Sequence, residues 1–296
     1  MIAIDWGTSS FRAYRLARDG AVLEKRSAPL GILAAADRFA ETLEQQVGDW
    51  IAQRERPIVM SGMIGSRQGW KEAPYVTCPA GLFEIATAMV EVRWGADRRA
   101  WIAPGLTCRD ESGVPDVMRG EEVQICGALA MLPADPTWVC LPGTHSKWAL
   151  VEGGRVVQFA TYLTGEVFAV LKAHSILGRM METGETDLAS FDAALLRSRA
   201  AGGLLHHLFG VRALGLFGDL PNAKAASYLS GLLIGHELNA VPTLSNTVYI
   251  IGTQELAEVY SRALRSFGSS PQVLDADAVV HGLFALAGFL PEEHRT

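Results

Sequence analysis

An acidic residue that precedes a glycine turn, close to the start of the chain, is the feature of this sequence best suited to chemistry. Residues 2–9 form an apolar run that reaches Asp5 and continues into Gly7, Thr8 and Ser9. A carboxylate at a strand end suits Mg²⁺, and a glycine turn lets backbone N–H groups approach a phosphate closely. We therefore expect Asp5 to be a catalytic, metal-side residue and the turn to bind phosphate. The alternative is a turn in which Asp5 and Thr8 only satisfy local backbone groups.

A second turn of the same chemistry occurs within residues 137–151, between two apolar strands. Its predicted phosphate-binding residues are Gly143, Thr144, His145, Ser146 and Lys147. Lys147 has a long side chain that can reach a phosphate, but it could equally be a solvated strand residue. The strand after each turn reverses at a further turn, Asp19-Gly20 and Gly153-Gly154, so each turn lies in a predicted β-hairpin. Two such hairpins in one chain indicate two related half-molecules.

A third segment, residues 248–255, reads as a strand, a glycine turn and the start of a helix. A helix N-terminus that opens on a glycine can accept an anion or the polar edge of a nucleotide. Gly252, Thr253 and Glu255 are therefore predicted nucleotide-binding residues, and Thr253 can cap the helix. The alternative is an ordinary connection between a strand and a helix.

Composition restricts the function classes. The net charge is −6 with no block of Lys or Arg, which argues against a nucleic-acid partner or an anionic membrane surface. The four cysteines are widely spaced and form no C-x-x-C motif, so neither a disulfide framework nor a zinc knuckle is indicated. The sequence also lacks a P-loop and a G-x-G-x-x-G fingerprint. We expect a cytoplasmic protein with no membrane segment, in which any phosphate is bound by the two hairpins.

The elements that must position these residues alternate between strands and helices. Hydrophobic periodicity predicts helices over residues 37–53, 82–92, 118–132, 223–239, 254–267 and 277–290, and a mostly helical stretch over 165–210. Further strands are predicted at 58–61, 100–103, 248–251 and 272–274, with a loop over 106–117. At 296 residues the chain is long enough for two cores. We predict an acceptor- and phosphate-binding domain over 1–133 and a nucleotide-binding domain over 134–296, with the last helix a candidate to pack back on the first domain.

In this order, the hairpins and the late strand–glycine–helix segment resemble the sugar kinase, Hsp70 and actin superfamily. Five motifs are more specific and together resemble the 2-dehydro-3-deoxygalactonokinase family: residues 4–10 (IDWGTSS), 61–70 (SGMIGSRQGW), 115–124 (PDVMRGEEVQ), 141–148 (LPGTHSKW) and 174–178 (HSILG). The resemblance runs from residue 2 to about residue 288. It implies an α/β fold of two similar actin-like ATPase (ribonuclease H-like) domains with the active-site cleft between them. It also implies phosphorylation by MgATP of the terminal hydroxyl of 2-dehydro-3-deoxy-D-galactonate, giving the 6-phosphate, in galactonate catabolism.

Phosphoryl transfer also needs a base near the acceptor hydroxyl. Glu121 and Glu122 open the helix before the second hairpin. The wider FGGY family of carbohydrate kinases has its catalytic Asp in a Gly-Asp-Gln sequence at this location, and Gly120-Glu121 resembles it, although Glu replaces Asp and the spacing to Gly127 is one residue shorter. Glu121 is therefore the predicted base and Asp116 the fallback. Alternatively, the two acids only favour a helix N-terminus.

An acidic acceptor also needs a group that binds its carboxylate, and Arg forms bidentate pairs with carboxylates. Arg67 lies in a glycine-rich loop between Gly65 and Gly69 and is the predicted clamp. The other predicted substrate-binding residues are Ser61, Gly62, Met63, Trp70 and Tyr75, with Arg12 and Arg119 as alternative clamps. A simple surface loop with a solvated Arg67 is the competing interpretation.

Two other functions stay open at this point. The chain could phosphorylate another sugar or sugar acid, or it could be an actin- or Hsp70-like ATPase switch without a small-molecule acceptor. A homodimer is also open. Among these, the sugar-acid kinase is our main prediction, with Mg²⁺ as its cofactor and ATP as a substrate.

Overall fold

The computed structural model of the protein describes residues 1–53, 55–241, 247–275 and 277–292. The chain folds into two compact units. The first comprises Met1–Thr137, Ala149–Ala160 and the chain from Leu274 onward, and the second comprises Trp138–Trp148 and Thr161–Val273. Both contain helices and strands, as predicted for an α/β protein. The domain boundary at residue 133 stays a prediction.

The described residues form fifteen strands and nine α-helices. The strands are β1 (Ile2–Trp6), β2 (Phe11–Leu16), β3 (Val22–Ala28), β4 (Ile58–Ser61), β5 (Tyr75–Thr77), β6 (Ala80–Gly81), β7 (Val90–Trp94), β8 (Arg98–Ile102), β9 (Gly105–Arg109), β10 (Pro115–Met118), β11 (Thr137–Leu141), β12 (Ser146–Glu152), β13 (Arg155–Tyr162), β14 (Thr247–Ile251) and β15 (Ser270–Leu274). The helices are α1 (Phe39–Ala52), α2 (Leu82–Thr87), α3 (Glu121–Ala128), α4 (Thr164–His174), α5 (Leu188–Ser198), α6 (Gly203–Phe217), α7 (Ala225–Ala240), α8 (Gln254–Ser266) and α9 (Ala278–Ala287).

The first unit is built on a six-stranded sheet with the order β3-β2-β1-β4-β8-β7. Strands β1, β2 and β3 form the antiparallel hairpins predicted from the sequence. Strand β4 runs parallel to β1, with Asp5 paired in register with Ser61. Because parallel strands end at the same edge of a sheet, Asp5 and the loop after β4 meet there. Apolar side chains of both strands belong to the core that fixes this edge, among them Ile4, Trp6 and Met60.

Helices α3 and α9 pack closely in the first unit because small residues face each other. A Cβ on Gly127 would overlap the Ala278 carbonyl oxygen, and a Cβ on Gly282 would overlap the Val123 carbonyl oxygen. Helix α9 also contacts β1 and β4. The start of α3, where the candidate base lies, is thus attached to the same core as the end of β1.

Three sequence predictions in the first unit differ from the structure. The helix predicted over 82–92 ends at Thr87, and Val90–Trp94 is strand β7. The alternating pattern of Val90, Val92 and Trp94 fits a strand, where β-branched and aromatic side chains pack well. The loop predicted over 106–117 instead contributes β9 and β10, which form a three-stranded sheet with β5. The helix predicted over 118–132 is shorter, because Gly120 has a left-handed φ of 108° and the helix begins after it.

The second unit has helices packed beside a sheet in which β14 lies between β15 and β11, and β11 lies beside β12. Strands β11 and β14 are parallel, so the second turn and the predicted nucleotide-binding turn follow strands that end at one sheet edge. Helices α4, α5 and α6 confirm the helical stretch predicted over 165–210. Among the described residues, no helix has the length and apolar character needed to cross a membrane.

Candidate active site

The carboxylate of Asp5 lies at the end of β1, mostly shielded from solvent. Its Oδ2 is 3.1 Å from Nη2 of Arg12, the residue that faces it across the β1–β2 hairpin. Burial raises the pKa of Asp5, and the Arg12 guanidinium opposes that rise. Asp5 can therefore be an anionic metal-side group while Arg12 stays beside it.

The glycine after β4 permits a close approach to Asp5. Gly62 has a φ of 91°, and a Cβ there would lie 2.9 Å from the Trp6 carbonyl oxygen and 3.3 Å from Oδ1 of Asp5. A Cβ on Gly120, just before α3, would lie 3.3 Å from Cα of Gly62. Ser61 is fully buried, and its Oγ makes no hydrogen bond within the described part of the chain. The structure therefore brings Asp5, Ser61, Gly62 and the start of α3 together.

The candidate bases differ in their surroundings. Glu121 is half-buried, and its Oε2 accepts a hydrogen bond of 3.0 Å from the Arg119 amide. Glu122 is fully buried, and both of its oxygens accept from the Gly120 amide, at 2.9 and 2.7 Å. Burial, with a smaller contribution from Glu121, raises the pKa of Glu122 to about 8. Glu122 therefore caps α3, which leaves Glu121 as the accessible acid there.

The fallback base, Asp116, lies on a different element. It is half-buried on β10, in the three-stranded sheet, and its Oδ1 accepts a hydrogen bond of 2.7 Å from the Val117 amide. Its register partner is Cys108 on β9. The close approach that links Asp5 to the start of α3 does not include Asp116.

The first turn is held by the backbone of residues 30–33. Amides of this segment donate to the carbonyl oxygens of Gly7, at 3.0 Å, and Thr8, at 3.4 Å. A Cβ on Gly31 would overlap the Thr8 carbonyl oxygen, so the two chains touch directly. The side chains of Thr8 and Ser9 are exposed, as a ligand-binding turn requires.

The second turn is held by the start of α4. A Cβ on Gly165 would overlap the Gly143 carbonyl oxygen, and the Glu166 amide donates to the Thr144 carbonyl oxygen at 2.9 Å. The Glu166 carboxylate contacts Nε2 of His145. Thr144 and His145 are exposed, and among the described residues no atom other than those of its chain neighbours lies within 4 Å of a Cβ built on Gly143. The turn thus has an open side where a phosphate could bind.

The last two residues of the second predicted site are buried, unlike Thr144 and His145. Lys147 is only 5% exposed, so its interpretation as a solvated strand residue is wrong. Ser146 donates from its Oγ to Oε1 of Glu237 at 2.8 Å. Sequence reasoning missed Glu237, which is almost fully buried on α7. The available signal was the one acid of a mostly apolar helix, near its C-terminal end.

The third predicted turn lies beside the second. A Cβ on Gly252 would lie 3.2 Å from Cγ of Pro142. Thr253 occupies the N-cap position of α8, but its side chain makes no capping hydrogen bond. Both Thr253 and Glu255 are exposed. This turn is therefore open to solvent at the helix start.

A cavity of about 240 Å³ also lies in the second unit, between α4, α5, α7 and α8. Its lining residues are Phe168, Lys172, Gly184, Glu185, Thr186, Leu188, Phe191, Ala223, Ala226, Ser227, Ser230 and Val259. Two of its walls belong to α4, whose start contacts the second turn, and to α8, which begins at Gln254 just after the third turn. The cavity lies farther along these two helices, at Phe168 and Lys172 of α4 and Val259 of α8.

The predicted substrate loop is packed in part against the core. Trp70 stacks on Phe39 with ring centroids 6.5 Å apart and contacts Trp94 at 5.3 Å, so its ring faces are largely used in packing. Met63 also packs against this core. In contrast, the Arg67 side chain is 87% exposed and pairs with Glu72 of the same loop at 3.0 Å.

The alternative clamp Arg119 is in a different position. Its guanidinium lies 4.3 Å from the ring centroid of Tyr75, and its Nη2 donates to the Ala73 carbonyl oxygen at 2.8 Å. Its Nε and Nη1 atoms are buried without a hydrogen-bond partner in the described residues. These two nitrogen atoms of Arg119 are therefore closed to a ligand from solvent in this structure.

The donor groups near Asp5 fit Mg²⁺, which proteins commonly hold through one or two carboxylates together with substrate phosphates and water. The described residues contain no cluster of three or more His, Cys, Asp or Glu side chains that could hold a metal by themselves. One carboxylate beside a turn with exposed hydroxyls is the arrangement expected for a metal that arrives with a nucleotide.

A family model described as 2-keto-3-deoxy-galactonokinase matches residues 5–286 of the chain. The chain belongs to this family. A Rhizobium meliloti (strain 1021) protein named probable 2-dehydro-3-deoxygalactonokinase DgoK1 is 42% identical, over 96% of this chain and 95% of the relative. The 2-dehydro-3-deoxygalactonokinase of Escherichia coli (strain K12) is 33% identical, over 93% of each chain. The family predicted from the five motifs is therefore confirmed.

Solved structures agree with the galactonokinase family assignment. A Sinorhizobium meliloti protein described as a candidate 2-dehydro-3-deoxygalactonokinase matches with a TM-score of 0.89 and 40% identity, over 97% of both chains. The Acidaminococcus fermentans (R)-2-hydroxyglutaryl-CoA dehydratase component A matches with a TM-score of 0.51 and 11% identity, over 97% of this chain and 95% of that one. At 11% identity this likeness concerns the fold alone. The actin-like α/β fold class predicted for the chain is confirmed.

Proposed function

We propose that this chain transfers the γ-phosphoryl group of ATP to the terminal hydroxyl of 2-dehydro-3-deoxy-D-galactonate, giving the 6-phosphate. Membership of the galactonokinase family and the names of its relatives support the reaction and the acceptor. The observation that carries the proposal in the structure is the close approach of Asp5, Gly62 and Gly120, which links a metal-type carboxylate to the helix that begins at Glu121. The role in galactonate catabolism follows from this acceptor.

Asp5 is our proposed metal-side residue. A Mg²⁺ ion bound with ATP would neutralise charge on the phosphates, and Asp5 would hold it directly or through water. Gly7, Thr8 and Ser9 would bind phosphate with their backbone amides and exposed hydroxyls. Burial raises the pKa of Asp5, and the positive charge of Arg12 opposes this rise. Arg12 therefore favours the ionised carboxylate that this role needs.

Glu121 is our proposed general base. It is the accessible acid at the start of α3, whereas Glu122 is sealed and uses both oxygens to cap the helix. A base must reach the acceptor hydroxyl, so accessibility favours Glu121. Its carboxylate would accept the proton as the hydroxyl attacks phosphorus.

The second unit contains our proposed nucleotide site. Gly143, Thr144 and His145 would bind phosphate at the open side of their turn, with Ser146 and Lys147 behind them. Gly252, Thr253 and Glu255 would lie near the nucleoside. The cavity lined by α4, α5, α7 and α8 would take the adenine ring, because the start of α4 contacts the second turn and α8 begins just after the third turn.

Filling this cavity tests the nucleoside position. Ala226→Leu adds bulk to its lining, so we expect about a tenfold rise in the KM for ATP with a smaller change for the acceptor, since one misplaced contact costs roughly 1–3 kcal/mol. Leu205→Ala on the exposed surface of α6 is the control. Unchanged nucleotide affinity in a folded Ala226→Leu protein would show that the adenine ring binds outside this cavity.

Arg67 is our proposed clamp for the acceptor carboxylate. Its guanidinium is exposed in a glycine-flanked loop and would exchange Glu72 for the ligand, whereas the unpaired N–H groups of Arg119 are buried. The bound acceptor would cover the Arg67 guanidinium, and loss of one partner of a buried charge pair typically costs about 2–5 kcal/mol, so Arg67→Ala should raise the acceptor KM at least about thirtyfold. The KM for ATP should change less. Arg119→Ala and Arg12→Ala are the comparison variants, and a larger acceptor effect in either would move the clamp.

ADP release over a panel of sugar acids and the matching neutral sugars tests the whole proposal. We expect rapid turnover with 2-dehydro-3-deoxy-D-galactonate and much slower turnover with the neutral deoxy-sugar. A better substrate among the other acids would identify a different sugar-acid kinase. ATP hydrolysis that no acceptor stimulates would support the ATPase switch instead. A cytoplasmic location and a homodimer stay predictions from the sequence.

A further inference from the structure

Glu237 is a buried carboxylate that the proposed reaction does not use. It lies on α7 in the second unit and is 3% exposed. Its Oε1 accepts hydrogen bonds from Oγ of Ser146, at 2.8 Å, and from Nε1 of Trp148, at 2.7 Å. Its Oε2 accepts from Oγ1 of Thr164 and from the Tyr260 hydroxyl, the latter at 2.9 Å. Four donors from three other elements thus converge on one side chain.

This network includes both sides of the second turn. Ser146 is the first residue of β12, directly after the turn. Thr164 is the first residue of α4, and the next two residues touch the turn, Gly165 at the Gly143 carbonyl and Glu166 at the Thr144 carbonyl. Glu237 therefore fixes the end of the turn and the helix start that supports its beginning.

An ionised carboxylate matches these four partners better than a neutral side chain. The Trp148 indole can only donate, and the three hydroxyls donate in this arrangement, so an acceptor with two oxygens satisfies all four. Burial raises the pKa of Glu237, while its hydrogen bonds oppose that rise. The polar partners of Glu237 named above are all neutral. A buried carboxylate without a cation is costly to desolvate, and the four hydrogen bonds to Glu237 offset part of that cost.

We propose that Glu237 is a positioning residue for the second turn. By holding Ser146 and Thr164, it keeps Gly165 and Glu166 against the turn, so that the backbone of Gly143 and Thr144 is set for the nucleotide phosphates. The proposal rests on the proposed function, because it assumes that this turn binds phosphate. Its effect passes through other residues, and Glu237 itself does not touch the substrates.

A matched pair of variants tests the proposal. Thr164→Val and Tyr260→Phe each remove one hydroxyl donor to Oε2 of Glu237, but only Thr164 belongs to the helix that supports the turn. Isothermal titration with Mg·ADP gives the affinity, and thermal unfolding gives the stability. We expect similar losses of stability from both, with the Kd for Mg·ADP about tenfold or more higher in Thr164→Val and within about threefold of wild type in Tyr260→Phe. Thr164→Ser keeps the hydroxyl and should restore affinity.

Glu237→Gln provides a second test that does not depend on Thr164. It keeps the shape and loses the charge, so Mg·ADP affinity should fall while the acceptor KM changes less. Equal affinities of wild type, Thr164→Val and Glu237→Gln would overturn the proposal, as would an equal loss in Tyr260→Phe. If Thr164→Val does not fold, Glu237→Gln decides by the same measurement. A wild-type protein that binds Mg·ADP but phosphorylates no sugar acid would contradict the proposed function alone.

Discussion

The two glycine turns contain the same Gly-Thr pair but are held in different ways. The first turn, at Gly7-Thr8, is fixed by backbone hydrogen bonds from Ile32 and Leu33. The second, at Gly143-Thr144, is fixed by the start of α4 and by side chains that converge on Glu237. The two halves of the chain thus contain the same Gly-Thr turn but hold it in place with different contacts.

The residues before the turns differ as well. Two positions before its glycine, the first turn has Asp5, whose carboxylate lies close to Gly62 and Arg12. At the matching position the second turn has Leu141, which is buried in the sheet. We infer that the first turn combines phosphate binding with a carboxylate beside the metal ion, while the second turn binds phosphate without such a carboxylate. Under this proposal, one shared motif has two different chemical roles.

The largest expected effect tests this asymmetry at Asp5. Asp5→Asn keeps the shape but removes the charge that would hold Mg²⁺. Metal ions contribute several kcal/mol to such transition states, so turnover should fall by roughly 10³-fold or more. Steady-state kinetics at saturating MgATP measures the loss.

The matching residue of the second turn provides the control for this prediction. Leu141→Met conserves volume and should leave turnover within about threefold of wild type. Near-normal turnover in a folded Asp5→Asn protein would reduce Asp5 to a structural residue and remove the proposed difference between the turns.

The next effect concerns the helix that approaches the first turn. Glu121→Gln should lower kcat by at least about 10²-fold with nearly unchanged ATP affinity, because a base acts on the acceptor hydroxyl and general bases contribute typically 10²–10⁴-fold. Asp116→Asn is the matched variant and should change kcat little. The reverse result would transfer the role of base to Asp116.

A pair of glycine substitutions compares the two kinds of support. A Cβ on Gly31 would overlap the first turn and a Cβ on Gly165 the second. Displacements near 1 Å can cost about 10²-fold, so we expect Gly31→Ala mainly to lower kcat and Gly165→Ala mainly to raise the Kd for Mg·ADP, each by about tenfold or more. Calorimetry and kinetics on both variants separate these effects.

Gly210 provides the control for the glycine pair. It lies within α6, and in the described part of the chain no atom outside the backbone of its own helix lies within 4 Å of a Cβ built there. Gly210→Ala should therefore retain activity and gain a little helix stability. If Gly31→Ala and Gly165→Ala changed kcat and Kd in the same proportions, the two turns would not have separate roles.

The smallest expected effect is a shift in pH dependence from Arg12→Ala. Burial raises the pKa of Asp5 and Arg12 opposes the rise, so removing Arg12 should raise that pKa further. Asp5 would then be protonated at a higher pH, and the acidic limb of the kcat/KM profile should move upward. Arg12→Lys retains the charge and should move the limb less. A limb that stays in place, or moves to lower pH, would show that Asp5 does not control it.

Local sequence patterns were sufficient for much of the fold. The hairpin of β1, β2 and β3 was predictable because alternating apolar residues and the Asp19-Gly20 turn specify it within a short stretch. Strand β7 and the three-stranded sheet were not predicted. The turn residues around Asp110 and Gly113 dominate the local pattern of 105–118, whereas β9 gains two partners only in the folded chain: β10 across that turn, and β5 from thirty residues away in the sequence.

The sequence by itself determined the family, the two Gly-Thr turns and the position of Asp5 at the end of a strand, because short motifs record residue types and spacing. Only the tertiary structure decided which acids are accessible. Glu121 and Glu122 are adjacent in sequence, yet one is half-buried and the other sealed, since the side chains of adjacent helical residues point in different directions. Likewise, Glu237 lies 91 residues from Ser146, and only folding brings its carboxylate to that hydroxyl. Its environment depends on contacts that no local pattern encodes.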